Sequence, residues 1–212
     1  MRTKLSTPIR KLTVNVAAAL GILAVAAPAH AAVITFDGLA DGNVVTNQFA
    51  ADGITFSSAG GQQILITAQP SYQSTPPNFI CTGFASINCT GTVIFSFSAP
   101  VNNLQFDAVG NQNAIGTAFA LADIYQNGIL TVSNLALLVS LGNLQADHQD
   151  LSAYNDITQL VIHDNTDGAG TGYDTISFTQ GVVSEVPEPL TLSLFGAGLA
   201  GAAAMRRRKA QK

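Results

Sequence analysis

Alternating apolar and polar positions recur along residues 33–180, and no helical period stands between them. Val93, Phe95 and Phe97 put an apolar side chain at every second residue, with Ser96 and Ser98 facing the other way. Leu104, Phe106 and Ala108 repeat the pattern opposite Gln105 and Asp107. On this reading strands are expected at residues 33–36, 44–49, 54–57, 64–68, 92–98, 103–109, 117–125, 129–132, 135–141, 157–163 and 175–179. Asn127-Gly128 lies between two apolar runs and predicts a type I′ hairpin, because both turn positions need positive φ. Ala99-Pro100 is expected to end a strand, since proline has no N–H to give the ladder. About ten short strands with frequent turns predict an all-β domain at residues 32–180, a two-sheet β-sandwich of jelly-roll topology, with a linker at 181–186.

Charge changes the picture through its placement. Residues 32–185 contain no Lys or Arg, while eleven Asp and one Glu give them −12. The nine cations all lie at the two ends, each of which carries a net +4, so the whole chain is only −4. A middle without cations cannot neutralise phosphates, which excludes nucleic-acid binding. It also lacks a P-loop lysine, a Schiff-base lysine and an arginine clamp. Its content of Val, Ile, Leu and Phe argues against disorder.

The ends read as export signals. Arg2, Lys4, Arg10 and Lys11 precede an apolar run to about Ala27, then Pro28 and the small-residue site Ala29-His30-Ala31. This is the pattern of a secretory signal peptide at residues 1–31, with signal peptidase cutting between Ala31 and Ala32. At the other end Pro187-Glu188-Pro189 breaks regular structure, residues 190–205 carry no charge, and Arg206, Arg207, Arg208 and Lys209 follow. Sixteen helical residues span about 24 Å, short of a hydrocarbon core of about 30 Å, and the basic cluster is held on the cytoplasmic side. Residues 210–212 form a short tail.

Residues 187–209, with Pro-Glu-Pro, a short apolar stretch and an arginine cluster in that order, resemble a PEP-CTERM sorting signal. The resemblance implies a substrate of exosortase, a membrane peptidase of Gram-negative bacteria that make exopolysaccharide. It implies transient inner-membrane insertion through residues 190–205, removal of the tail near Pro187–Pro189, and delivery to the cell surface or extracellular matrix. The order of β segments, from Ile34-Thr35-Phe36-Asp37 to Tyr173-Asp174-Thr175-Ile176, is similar to the β-sandwich ectodomains often carried by this family.

Candidate chemistry in the middle is sparse. Cys81 and Cys89 are the only cysteines, and in an exported chain they predict a structural disulfide. Asp164, Asp167 and Asp174 fall in a glycine-rich stretch whose oxygen ligands suit Ca²⁺, although neither the EF-hand nor the nonapeptide-repeat spacing is met. If first and last strands are neighbours, Asp37 joins them as a ligand, and a divalent ion relieves the self-repulsion of a −12 domain. The alternative is a plain turn with Asp as turn residues. Tyr72, Tyr154 and Tyr173 are the amphipathic aromatics available to stack on a glycan or anchor loops. His163-Asp164 suggests a fragment of a triad, but no Gly-x-Ser-x-Gly elbow accompanies it. The expected function is a secreted, non-catalytic structural or adhesive protein of the surface or exopolysaccharide matrix, with no certain cofactor. A calcium-assisted lectin-like module is the second reading and a secreted polysaccharide hydrolase the third.

Overall fold

The computed structural model describes residues 30–69, 74–83, 89–141, 145–168 and 170–181, which fall within one compact unit spanning Ala27–Val186. All but the last two residues of the expected signal peptide, most of the linker, the sorting signal, its membrane stretch and Tyr72 lie outside the described residues. Among the described residues no helix is long and apolar enough to cross a membrane.

The described chain is all-β. Its strands are β1 His30–Ile34, β2 Val44–Val45, β3 Ile54–Ser58, β4 Gln63–Ala68, β5 Asn78–Gly83, β6 Val93–Val109, β7 Ala118–Gln126, β8 Ile129–Leu138, β9 Asp147–Asp150, β10 Ile157–His163 and β11 Gly172–Gln180. They form one hydrogen-bonded antiparallel sheet where two separate sheets were expected. The path runs β2-β4-β5-β11-β6-β10-β7-β8, with β1 on β11 and both β3 and β9 on β6. First and last strands are indeed neighbours, with Ile34 opposite Ile176 and His30 opposite Gln180.

The single sheet follows from β6, which runs through the position where Ala99-Pro100 was expected to stop it. Its first half pairs with β3 and β10, and its second half with β9 and β11. On β10, Ile157 faces Val101 and Gln159 faces Ser96, so four β6 residues, Pro100 among them, bulge out where the partners change. A ladder donor is not required there, and the Pro100 carbonyl still accepts from the Gly181 N–H at 2.9 Å. Beyond the bulge the buried parity switches from Val93, Phe95, Phe97, Ala99 and Val101 to Leu104, Phe106 and Ala108. Asn103, with φ of 53°, supplies the extra residue that keeps apolar side chains inward on both halves.

The bend also makes the core. Eleven extended residues span about 36 Å, yet the rings of Phe95 and Phe106 lie 5.8 Å apart, edge to face. The two halves of β6 therefore face each other across the interior. Phe36, Phe49, Phe56, Phe95, Phe106 and Tyr173 form a continuous chain of edge-on contacts at 5.4 to 6.2 Å. Such pairs add roughly 0.5–1.5 kcal/mol each beyond the area they bury.

Two further expectations meet the structure differently. The Asn127-Gly128 hairpin forms, with φ of 49° and 78° and Gln126 opposite Ile129. The strand expected at 44–49 shrinks to Val44–Val45, because a turn and the 3-10 helix Ala50–Asp52 follow.

Candidate functional site

A domain without Lys or Arg must satisfy its buried carboxylates by other means. Asp147, Asp167 and Asp174 are all buried. Isolated buried carboxylates are very costly, so each needs donors. The donors come from loop backbone and hydroxyl groups. Asp174, on β11, accepts from the Ser74 N–H at 3.2 Å and hydroxyl at 3.0 Å, and from the Thr75 N–H at 2.8 Å. It also accepts from the Thr75 hydroxyl at 3.1 Å and the Thr175 N–H at 2.7 Å. Burial pushes the Asp174 carboxyl above the usual range, and these hydrogen bonds pull against that shift without cancelling it. Asp147, on β9, holds the turn after β8 by accepting from the Ser140 N–H and hydroxyl and the Leu141 N–H at 2.6 to 3.0 Å. Asp167 accepts from the Gln112 N–H at 2.5 Å. These aspartates are loop clasps.

Of the four expected calcium ligands, Asp174 and Asp167 are committed in this way to different loops. Asp37 accepts from the Asn78 N–H at 3.5 Å, and Asp164 lies 3.1 Å from His163 Nδ1. Among the described residues no three His, Cys, Asp or Glu side chains group so as to hold a metal ion. β1 and β11 are neighbours, as a site shared by Asp37 and Asp174 requires.

The aromatic expectation also changes. Tyr173 is 1% exposed and packs edge-on against Phe95 and Phe106, so no sugar ring reaches it. Its alternation partner on β11 is the buried Asp174, a pairing that period two alone does not reveal. Tyr154 is half-buried against the core, after a turn in which its N–H donates to the Leu151 carbonyl.

Both histidines of β9 and β10 meet carboxylates. His148 Nδ1 lies 2.9 Å from Asp107 Oδ1, and His163 sits between Asp164 and Asp123, with Nε2 3.5 Å from Asp123 Oδ1. Desolvation raises the Asp123 carboxyl, but the Asn134 N–H and His163 together outweigh it and hold it below the usual range. His163 therefore faces two carboxylates, and no serine or cysteine hydrogen-bonds to it among the described residues.

Cys81 and Cys89 form the expected disulfide. It ties β5 to the segment before β6, where the Cys89 carbonyl accepts from the Thr171 N–H at 2.9 Å and from Asn165 Nδ2 at 3.1 Å. The bridge thus supports the glycine-rich loop from below. Beside it lies an open cleft of about 450 Å³, lined by Ala59, Gly60, Gln62, Thr90, Thr92 and Asp164 together with Gly91 and Asn165. Sequence reasoning singled out Asp164 here but passed over Gln62 and Thr92. Their only signal was the Gly60-Gly61 turn between two strands.

The expected signal-peptidase bond, Ala31–Ala32, falls inside β1, with Ala31 opposite Thr179 and Ala32 opposite Phe178. A family model for the PEP-CTERM protein-sorting motif matches residues 185–209. The chain carries a PEP-CTERM sorting motif. The motif implies export and exosortase as a processing partner, and it places the protein among those sorted to the cell surface. No curated protein matches the chain.

Proposed function

We propose that the domain bearing this PEP-CTERM motif is a non-catalytic structural or adhesive component of the outer surface or exopolysaccharide matrix of a Gram-negative bacterium. Signal peptidase removes residues 1–31, residues 190–205 hold the precursor briefly in the inner membrane, and exosortase cuts near Pro187–Pro189. The folded sheet then acts as a sandwich of jelly-roll type whose layers share β6. The observation that carries the reading is the sorting motif joined to a domain whose buried carboxylates clasp loops. Buried acids held in that way by backbone and hydroxyl donors fix loops to the sheet, which suits a scaffold.

Expression in a host with and without its exosortase gene tests this. With the enzyme, intact mass of the extracellular form is expected to lack both residues 1–31 and the arginine cluster at 206–208. An extracellular form that keeps its terminal arginines, or a chain that never leaves the cytoplasm, overturns the reading. Turnover of a polysaccharide, abolished by His163→Ala, overturns the non-catalytic part and supports the hydrolase.

A further inference from the structure

The cleft beside the disulfide combines polar groups from three separate parts of the chain. Gln62 comes from the β3–β4 connection, Thr92 from the segment entering β6, and Asp164 from the residue after β10. Its walls are held rigidly. Gly91 N–H donates to Thr82 Oγ1 at 2.7 Å, and the Ser58 hydroxyl donates to the Thr92 carbonyl at 2.5 Å. Asn165 is used on both sides, donating to the Cys89 carbonyl and accepting from the Asp167 N–H at 2.9 Å, which fixes the backbone next to Asp164. Asp164 itself stays open, with a side chain 73% exposed and only Oδ2 engaged with His163.

The lining restricts the ligand by chemistry. Ala59 is its only aliphatic side chain and no aromatic is present, so an apolar ligand gains little there. No Lys or Arg exists anywhere in residues 32–185, so phosphate, sulfate and uronate groups meet only negative charge. A carboxylate, an amide and a hydroxyl converging on a rigid polar cleft match the donor and acceptor pattern of sugar hydroxyls. We propose that this cleft is a saccharide subsite for a neutral glycan, whose hydroxyls are bound directly by Asp164, Gln62 and Thr92 without a metal ion. It deepens the matrix reading by naming what the domain holds on to, and it rests on that reading only for where the glycan is met.

Calorimetric titration of the full chain tests it, in a polyoxyethylene detergent that carries no sugar headgroup. The probes are maltohexaose, cellohexaose and mannohexaose, with oligogalacturonate as the anionic counterpart. At least one neutral probe is expected to bind with a dissociation constant on the order of 1 mM, the strength of a few solvent-competed hydrogen bonds. Asp164→Ala and Gln62→Ala, both at the cleft rim, are each expected to weaken it about tenfold, with EDTA without effect. Absence of binding by all three neutral probes overturns the proposal. So does equal binding of oligogalacturonate, loss of binding in EDTA, or affinity unchanged in both variants. None of these outcomes touches the sorting motif, whose test is the processed mass of the exported form.

Discussion

Asp174 and Thr75, 99 positions apart in the chain, are joined by a 2.8 Å hydrogen bond from the Thr75 N–H to the Asp174 carboxylate. With Ser74 and Thr175 also donating, one buried acid closes the loop before β5 onto the last strand. Asp174→Ala leaves those donors without an acceptor, and a loss of about 2–4 kcal/mol in urea unfolding is expected. Asp174→Asn keeps one carbonyl acceptor in place and is expected to cost less than half as much.

The same residue sets a pH dependence of unusual sign. Burial raises the folded carboxyl above its ordinary value of 3.8, so the folded protein holds this proton more tightly than the unfolded chain. Its contribution to stability is therefore greatest below pH 3.8 and declines as pH rises through the raised folded value. Asp123 and Asp150 run the other way. The Asn134 N–H and His163 outweigh desolvation at Asp123, and the Ser152 hydroxyl and N–H lower Asp150. Their contributions are present above pH 3.8 and lost as pH falls through their folded values. Comparing wild type with Asp174→Asn between pH 3 and 7 separates the terms. The variant is expected to lose the decline on the alkaline side of 3.8, and a difference curve flat with pH counts against the assignment.

Gly172 stands where the last strand enters the core. A Cβ there would lie 2.2 Å from Phe79 Cδ2 and 3.1 Å from Val109 Cγ2. Phe79 and Val109 are themselves buried beside Cys81, so neither has room to retreat. Gly172→Ala is expected to cost about 1–3 kcal/mol of overpacking, read as a lowered thermal midpoint. An unchanged midpoint would show that Phe79 can rotate away.

The disulfide closes a nine-residue loop, and removing it is expected to cost about 2–3 kcal/mol on the chain-entropy model. Cys81→Ala/Cys89→Ala tests this against wild type in oxidising and reducing buffer. The double variant should match the reduced wild type. A larger loss in the variant would locate extra stability in how Cys81 packs against Phe79 and Val109.

Much of the sheet was legible because burial imposes period two wherever one face is apolar. Residues 157–163 were placed with both ends correct, and the hairpin at Asn127-Gly128 needed only its turn chemistry. What escaped notice had no such signature. In β5 all six residues, Asn78 to Gly83, are buried, so no alternation exists to detect. β9 turns Asp147 and Gln149 inward and leaves His148 and Asp150 outside, which reads as polar throughout. Pro100 reads as a stop because a partner-changing bulge depends on β10 and β11, far away in sequence. The aspartates are ambiguous for a related reason. Acid and glycine close together look alike whether the oxygens face a cation or the N–H groups of a distant loop.

Charge placement gives the last prediction, one that does not depend on fold. Trypsin requires Lys or Arg, and none occurs between Lys11 and Arg206. Ordinary domains of this size offer many such bonds, protected only while folded. Here the full chain, unfolded in urea and digested, is expected to yield one fragment covering residues 12–206. Chymotrypsin, which cuts after aromatic and large apolar residues, should leave the native domain largely intact and destroy the unfolded one, because Phe36, Phe95, Phe106 and Phe119 are fully buried. Matching fragment patterns from chymotrypsin with and without urea would mean that the Phe95–Phe106 contact across the bend of β6 is absent in solution.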